Sequence, residues 1–281
     1  MRNIDAKEVT KTVTRLLIEA NYYLPDDVLK ALQIAQDTEE SVAGKKVLSQ
    51  LIKNADIAAK EQMALCQDCG VAVVFLELGQ EVHIVGGGLV EAINEGVRQA
   101  YEKGYLRKSM VMRPFSARVN TKDNTPAIIY TDIVHGDKLK IIVMPKGGGA
   151  ENMSRLIMLT PSAGRQGIID NVLKAVEEAG SNPCPPVIVG VGIGGTAEKT
   201  MMLAKKALLR KIGEHNFDTE VAELEKELLQ KVNELGIGPM GYGGRTTALA
   251  VNIEVFPSHI ASMPMAVNIN CHSSRHKEAV I

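Results

Sequence analysis

The chain begins with a stretch whose apolar positions have helical spacing. Asp5 followed by Glu8 is a capping-box pattern, in which two side chains satisfy free N–H groups at the start of a helix. Behind this pattern, apolar residues recur on one helical face, at Val9, Val13, Leu16 and Leu17. The spacing therefore predicts an amphipathic helix that begins near residue 5.

Two further helices are predicted before the first cysteine. Pro25 can open the second helix, because the first helical position needs no N–H group. The third helix is predicted from about Glu39 to Met63, with a buried stripe of larger aliphatic residues. These residues are Val42, Val47, Leu51, Ile52 and Ile57. The N-terminal segment, about 1–63, is thus predicted to be helical.

The middle of the chain changes to runs of β-branched residues, which are typical of strands. Two pairs of such runs flank two-residue turn signals, and each pair predicts a β-hairpin. The pairs are residues 71–78 with 81–86 across Gly79-Gln80, and residues 126–135 with 138–145 across Gly136-Asp137. A helix over about 89–103 is predicted between the two hairpins.

The last third of the chain alternates helices with strands. Helices are predicted over about 163–179, from Thr196 onward and over about 218–235, and strands over 187–191, 248–256 and 265–270. No internal repeat is found. Because strands and helices are interleaved, the predicted fold class is α/β (mixed α+β), a helical N-terminal segment followed by mixed sheets with packed helices over about 64–281.

The composition mainly excludes classes of partner and location. The 281 residues carry a net charge of −1, no Trp and four Phe, so neither bulk charge nor aromatic stacking favours a nucleic-acid partner. No apolar run is long enough to span a membrane, and the charged N-terminus does not resemble a targeting signal. We therefore expect a cytoplasmic protein with no nucleic-acid or membrane partner.

The four cysteines stand in three places along the chain. Cys66 and Cys69 lie in LCQDCG, Cys184 in NPCPP and Cys271 in NINCHSSRH. Polar residues, glycine or proline surround three of them, whereas a structural cysteine usually lies in an apolar run. A redox pair is disfavoured because C-x-x-C here follows helices rather than a strand, and zinc held by distant ligands is an alternative. Thiolates from three loops suit an iron–sulfur cluster, in which an iron that lacks a cysteine can act as a Lewis acid.

Two glycine clusters are candidates for binding an anion. GVGIGG at 190–195 formally fits the dinucleotide pattern, but no second strand follows at the required distance. We favour a tight turn with free N–H groups at a helix start, suited to another anion. Lys146, Gly147, Gly148 and Gly149 would let the backbone approach a small carboxylate or phosphate, with a mobile surface loop as the alternative.

Arginines and histidines supply the remaining candidates. A dicarboxylate substrate would need a guanidinium that grips it through two parallel hydrogen bonds. Four arginines stand near turn signals, and spacing alone does not choose among Arg107, Arg113, Arg118 and Arg245. Other polar candidates lie beside the cysteines: Gln67, Asp68, His259, His272, Arg275 and His276. For any one of these histidines, residue type and position alone favour a solvated surface residue over a functional role.

Six motifs in order give the chain a resemblance to the class I fumarate hydratases. They are LCQDCG, NTKDNTPA, PKGGGAENMS, NPCPPVIVGVGIGGTAEK, GPMGYGGRTTALAV and PSHIAS…NCHSSRHKE. More closely, the chain resembles the α subunit of the two-chain form, a family shared with L-tartrate dehydratase, from about residue 10 to the end. The resemblance implies that residues 1–281 are the α-subunit domain of an iron–sulfur hydro-lyase. It also implies a separate β subunit that carries the catalytic partner domain, in an expected α2β2 assembly.

The resemblance also implies roles for particular residues. It implies a [4Fe–4S] cluster held by Cys66, Cys184 and Cys271, with one iron left for the substrate. Cys69 stands where relatives often have threonine, so it is not expected to be a ligand.

Substrate and proton-transfer roles are implied in the same way. Asp68 and His259 are expected to be catalytic. The residues expected to bind substrate are Gln67, Arg107, Lys146, Gly147, Gly148 and Gly149.

The implied reaction is the reversible hydration of fumarate to (S)-malate, a step of the tricarboxylic acid cycle. An open iron would act as a Lewis acid on the 2-hydroxyl group. The base for the C3 proton is implied to lie on the β subunit, so this chain alone is expected to be nearly inactive. Dehydration of tartrate to oxaloacetate is the alternative. A nucleotide-dependent oxidoreductase and a zinc-stabilised structural subunit are more remote readings.

Overall fold

The computed structural model describes all 281 residues as two compact units. The first unit comprises Met1–Pro25, Ala55–Gly148 and Arg275–Ile281, and the second comprises Asp26–Asn54 and Gly149–Ser274. The chain therefore crosses from one unit to the other inside both the predicted helical segment and the predicted α/β body. The assignment of the whole chain to one hydro-lyase domain stays a prediction.

Helices and strands alternate along both units, which confirms the predicted α/β class. The helices are α1 Ala6–Tyr22, α2 Asp26–Thr38, α3 Val42–Glu61, α4 Leu89–Lys103, α5 Gly148–Glu151, α6 Gly164–Ala179, α7 Ala197–Ala207 and α8 Thr219–Glu234, with 3-10 turns at Pro161–Ala163 and Pro239–Gly241. The strands are β1 Arg2–Asp5, β2 Val71–Gly79, β3 Val82–Val85, β4 Val111–Met112, β5 Val119–Asn120, β6 Ile128–Val134, β7 Leu139–Lys146, β8 Arg155–Leu159, β9 Val187–Gly194, β10 Ala248–Phe256, β11 Met263–Asn270 and β12 Lys277–Val280. Short strands β1, β4, β5, β8 and β12 were not predicted from the sequence pattern.

The first unit is built around a four-stranded sheet in the order β12-β7-β2-β6. Central strand β2 is parallel to β6 and antiparallel to β7, and β12 is antiparallel to β7. Helix α1 packs on β7 and on α4, and their apolar faces form one core with β2. Asp5 caps α1 by accepting the Lys7 N–H at 2.8 Å, and Val9 and Val13 are fully buried, as the sequence predicts.

Both predicted hairpins are wrong. Strand β3 does not pair with β2; it pairs in parallel with the N-terminal strand β1. Strands β6 and β7 do not pair with each other, because β2 lies between them. The turn signals are real, since Gly136 has φ +103°. A turn signal specifies a change of direction only, and here the apolar strand β2 took both neighbours because pairing on each side buries it.

The second unit contains a sheet in the order β10-β9-β11-β8. Central strand β9 is parallel to β10 and antiparallel to β11, and β8 is antiparallel to β11. Helix α7 packs on β9, β10 and β11, and α8 packs on β10. The Asp218 side chain caps α8 by accepting the Glu220 N–H at 2.9 Å, close to the predicted helix start.

Helix α3 forms where it was predicted, but the expected buried stripe is wrong. Val42 is 86% exposed and Ile57 is 42% exposed. The buried positions are Gly44, Leu48, Ala55 and Ala58. They follow one another at helical intervals and therefore lie on one face, which Leu48 and three small residues form instead of the predicted aliphatic stripe.

No helix of the protein is both long enough and apolar enough to cross a bilayer.

Candidate functional site

Strand pairing in the first unit brings two of the predicted motifs together. In the β2–β7 ladder Val71 lies opposite Lys146, so the start of β2 faces the end of β7. The CQDCG loop leads into β2 and the KGGG run leaves β7, so both lie at one end of the sheet. Gly70, with φ +75°, allows the backbones of the two loops to approach closely. A Cβ at this position would lie 2.7 Å from the backbone nitrogen of Lys146.

Asp68 is the residue through which the two loops touch. Its Oδ2 accepts the Gly148 N–H at 2.7 Å, and its Oδ1 accepts the Gly70 N–H at 2.9 Å. The Arg275 guanidinium donates to the Asp68 carbonyl at 2.6 Å. The carboxylate predicted to be catalytic therefore takes one of the glycine-loop N–H groups that were predicted to meet a substrate carboxylate. This contact fixes its orientation.

The two cysteines of the CQDCG loop have different surroundings. Cys69 is 2% exposed and belongs to the apolar core of the first unit. Burial raises the pKa of its thiol, which favours the protonated form. Cys66 is half-buried, and its sulfur lies 3.4 Å from the Gln67 Oε1. Of the two cysteines, only Cys66 therefore has more than a few per cent of its surface exposed to solvent.

A buried tyrosine donates hydrogen bonds to the backbone of the CQDCG loop. The Tyr101 hydroxyl lies 2.7 Å from the Cys69 carbonyl and 2.9 Å from the Gly70 carbonyl. Burial raises the pKa of the phenol, so it stays a donor at neutral pH. Tyr101 lies on α4 and had no assigned role in the sequence interpretation.

Cys66, Gln67 and Arg107 line one cavity of about 430 Å³ in the first unit. Gln67 and Arg107 are exposed, so their polar ends are available to a ligand. By contrast, the Lys146 side chain is only 1% exposed. Among the four candidate arginines, Arg107 is the one that lies beside the CQDCG loop.

Two of the other candidate arginines have partners of their own. Arg118 donates to the Pro114 carbonyl at 2.7 Å, and Arg245 forms an ion pair with Glu40 at 3.0 Å. Arg113 lies exposed in the same surface segment as Arg118. None of these contacts involves a residue of the predicted site.

In the second unit, strand pairing brings Cys184 and Cys271 into adjacent loops. Ile188 lies opposite Asn270 in the β9–β11 ladder, so the loop before β9 meets the loop after β11. The His272 Nδ1 and backbone N–H both point to the Cys184 carbonyl, at 3.1 and 3.3 Å. Both cysteines are half-buried. Each unit by itself contains no group of three or more His, Cys, Asp and Glu side chains arranged to hold a metal ion.

His259 lies on an exposed loop of the second unit that follows β10. Its Nδ1 accepts the Ala261 N–H at 3.1 Å, so the proton of the neutral ring is on Nε2. Within the second unit, its hydrogen bonds are with Ala261 and Ser262 and not with a predicted site residue.

The GVGIGG run is explained by packing. Gly190 and Gly192 lie inside β9 rather than in a turn. A Cβ on either one would overlap a carbonyl oxygen of α7, that of Ala204 or Thr200 respectively. The expectation that the run forms a turn at a helix start holds only for its last two residues, Gly194 and Gly195, which have positive φ.

The second glycine cluster, GPMGYGGRTT, surrounds a carboxylate that the sequence interpretation missed. Glu39 is 1% exposed and accepts N–H groups from four residues: Glu40, Ser41, Arg245 and Thr246. Burial alone would raise its pKa, but these backbone hydrogen bonds hold the pKa below its ordinary value. The sequence did not mark Glu39 because two of its four partners, Arg245 and Thr246, lie 206 and 207 residues away.

Comparisons with known proteins cover nearly the whole chain. The sequence model of the family described as fumarate hydratase (Fumerase) matches residues 10–280. The putative L(+)-tartrate dehydratase subunit alpha of Methanocaldococcus jannaschii is 46% identical over 272 residues, which cover 95% of each chain. The L(+)-tartrate dehydratase subunit alpha of Escherichia coli is 32% identical over 272 residues, which cover 95% of this chain and 89% of the relative. Both relatives are therefore similar to this chain in both of its units.

Proposed function

Because the chain belongs to the fumarate hydratase family, we propose that it is the α subunit of an iron–sulfur hydro-lyase that interconverts fumarate and (S)-malate. The observation that carries this proposal is the cavity lined by Cys66, Gln67 and Arg107. Cys69 also borders this cavity, but it is only 2% exposed. A thiol, an amide and a guanidinium around one space would suit a cluster-bound dicarboxylate, which supports the proposal.

The chemistry of the cysteines fits a [4Fe–4S] cluster held by Cys66, Cys184 and Cys271. All three are half-buried loop residues, which suits thiolates that bind a partly enclosed cluster. Cys69 is turned into the apolar core, so its exclusion from the ligand set agrees with its surroundings. The bound cluster would supply a Lewis acid that weakens the bond between carbon and the departing hydroxyl.

Residues of this chain would bind and orient the substrate around that chemistry. The exposed guanidinium of Arg107 can hold one carboxylate through two parallel hydrogen bonds, and Gln67 can bind a second polar group from the same cavity. The Asp68 carboxylate is held by two backbone N–H groups and keeps free lone pairs that can take a proton. The Ala261 N–H holds the His259 ring through Nδ1, which leaves Nε2 as the atom that could form a hydrogen bond with the substrate or with water.

The activity requires a separate β subunit in this proposal. Two relatives are named as α subunits, which supports a partner chain. We place the base for the C3 proton on that partner and expect an α2β2 assembly. The cytoplasmic location and the place in the tricarboxylic acid cycle stay predictions.

Dehydration of L(+)-tartrate is the second candidate. The names of the two relatives favour it, and the one from Methanocaldococcus jannaschii shares almost half of its residues with this chain. Tartrate differs from malate by one hydroxyl on the C4 skeleton, so the same thiols, Gln67 and Arg107 could serve either substrate. The additional hydroxyl must be distinguished by a neighbouring polar group.

The test is to purify the α and β chains together without oxygen and to assay fumarate, (S)-malate and L(+)-tartrate. A [4Fe–4S] enzyme should carry about four irons and four acid-labile sulfides per α chain. Turnover by the pair, with little by the α chain alone, is the expected result. A preference for tartrate of more than about tenfold in kcat/KM would select the second candidate.

A matched pair of serine variants tests the ligand set. We expect Cys66→Ser to lose most of the iron and sulfide, whereas Cys69→Ser should keep both. Zinc in place of iron, or equal loss in the two variants, would contradict the proposed ligands.

A further inference from the structure

Arg107 sits at the start of a surface segment that has few buried anchors. Tyr105, two residues earlier, is 93% exposed, and Arg107 itself is exposed. Leu106 is buried and its N–H donates to the Tyr101 carbonyl at 3.2 Å. Beyond Leu106, the segment needs other contacts to hold the guanidinium in one place.

The first of these contacts is made by Cys69. Its sulfur accepts the backbone N–H of Arg107 at 3.1 Å and lies 3.7 Å from the Cys66 carbonyl, to which its thiol donates. One buried side chain thus joins the backbone of the candidate carboxylate-binding residue to the backbone of a candidate cluster ligand.

The second contact is made by Asn124. This residue is fully buried and has φ +63°, a backbone conformation that asparagine tolerates better than most residues. Its Oδ1 accepts the N–H groups of Ser109 and Met110 at 2.8 and 3.2 Å. Its Nδ2 donates to the Gly70 carbonyl at 3.1 Å. Asn124 therefore also joins the segment after Arg107 to the CQDCG loop. Its contacts lie two and three residues beyond Arg107 and do not involve Cys69.

We propose that Cys69 and Asn124 are positioning residues that hold the Arg107 segment against the CQDCG loop. In this way the guanidinium of Arg107 keeps its place beside Gln67 and Cys66 around one cavity. The substrate part of this inference rests on the proposed function, whereas the backbone part rests only on these contacts. A polar side chain left without its partner in this buried place would cost stability, so each bridge is expected to be maintained in the folded chain.

A pair of variants with equal shape isolates the role of Cys69. Threonine and valine differ only by a hydroxyl in place of a methyl group, so Cys69→Thr and Cys69→Val place the same volume in the core. Threonine can still accept the Arg107 N–H and donate to the Cys66 carbonyl, whereas valine can do neither. Any difference between the two variants therefore reports the hydrogen bonds rather than packing.

Two measurements on the purified αβ complex decide the question. The first is amide hydrogen exchange on peptides that contain Arg107, Ser109 and Met110. The second is the KM and kcat of each variant, together with its iron and sulfide content.

We expect Cys69→Val to speed exchange at Arg107 and to raise KM by about tenfold, which corresponds to the loss of one such hydrogen bond. Its kcat should stay within about twofold of the original and its iron content should be unchanged, because binding alone is weakened. Cys69→Thr should keep the original exchange rate at Arg107 and the original KM. Asn124→Ala should speed exchange at Ser109 and Met110 and raise KM in the same way.

Equal behaviour of the threonine and valine variants in exchange and in KM would overturn the inference. Faster exchange in Cys69→Val with an unchanged KM would overturn its substrate part. If the original complex turns over none of fumarate, malate and tartrate, the proposed function fails. The exchange data then still decide whether the two residues position the segment.

Discussion

The sheets of the two units share one pairing pattern. Each has a central strand with a parallel neighbour on one side and an antiparallel neighbour on the other, and that neighbour pairs with an antiparallel edge strand. The central strand is β2 in the first unit and β9 in the second. The chain order differs, because the edge strand comes last in the first unit and first in the second.

The candidate residues occupy equivalent positions in the two sheets. Cys66 precedes one central strand and Cys184 precedes the other. The KGGG run follows the antiparallel neighbour in the first unit, and Cys271 follows it in the second. An antiparallel ladder places the start of one strand opposite the end of the next, so in each unit distant motifs meet at one end of the sheet. Strand pairing, rather than distance along the chain, thus gathers the chemistry.

The largest difference between the sheets is how closely a helix approaches the central strand. β9 carries Gly190 and Gly192 under α7, whereas β2 packs through Val, Phe and Leu side chains. We expect Gly192→Ala to lower the free energy of unfolding by about 4 kcal/mol, because the added methyl group meets backbone of α7 that cannot move aside. Chemical denaturation measures this loss.

A control with the same chemical change is Gly149→Ala. A Cβ at this position would lie 3.4 Å from the nearest atom, an ordinary contact. The free energy of unfolding should change by less than about 1 kcal/mol. If both alanine variants lose the same free energy of unfolding, close packing against α7 is not the reason for glycine in β9.

A second comparison concerns the two glycine clusters, each of which holds a carboxylate of the chain itself. Glu39 accepts four backbone N–H groups and Asp68 accepts two. We expect Glu39→Gln to lower the free energy of unfolding by about 2 kcal/mol, because its amide nitrogen cannot accept an N–H group. Glu40→Gln is the matched control, and it should cost less than about 0.5 kcal/mol because Glu40 is exposed.

The same contact predicts a dependence on pH. The pKa of Glu39 is lower in the folded chain than its unfolded value of about 4.3, because the backbone N–H groups stabilise the charged form against the effect of burial. Its contribution to stability is therefore present above that value and is lost as the pH falls through the lower, folded pKa. The difference between the original protein and Glu39→Gln should shrink in denaturation at decreasing pH. A constant difference down to about pH 3 would contradict this assignment.

Asp68→Asn should have a smaller effect on stability. One oxygen is replaced by an amide group, so a hydrogen bond with Gly148 or Gly70 is lost and we expect a cost of about 1 kcal/mol. Turnover of the αβ complex should fall by at least about a hundredfold if the carboxylate moves a proton. Gln67→Ala, an exposed change beside it, should leave stability within about 0.5 kcal/mol. Full activity of Asp68→Asn would remove Asp68 from the proposed mechanism.

The smallest effect is expected at the link between the two cysteine loops of the second unit. His272→Ala removes one of two donors to the Cys184 carbonyl and leaves the backbone N–H in place. The free energy of unfolding should fall by about 0.5 kcal/mol. Iron content after anaerobic purification should fall only in part, and complete loss would indicate that the side chain does more than join the loops.

Helices with strong local signals could be predicted closely from the sequence. Helix α4 begins and ends within the predicted range, the cap at Asp5 is confirmed, and α8 begins one residue after its predicted start at Asp218. These signals are local, since a cap and its N–H partner lie a few residues apart. The predicted resemblance to the fumarate hydratase family is likewise confirmed, because its motifs are carried by short runs of residues.

Pairing partners could not be predicted in the same way. The turns after β2 and β6 suggested hairpins, yet β2 pairs with β6 and β7 because these contacts bury it on both sides. The roles of Tyr101, Asn124 and Glu39 were missed for the same reason. Each of these side chains binds backbone that lies far away in the chain, and no local pattern records such a contact.

The sequence by itself determined the long helices and the apolar runs, since these depend on residue types and short spacings. Its motifs determined the family, and the resemblance implied the candidate chemistry at Cys66, Arg107, Cys184 and Cys271. Only the tertiary structure decided which strands pair, which cysteine of CQDCG turns inward, and that Asp68 is held by the glycine loop. Those choices depend on burial and hydrogen bonding between distant segments, whose free energies exist only once the chain has packed.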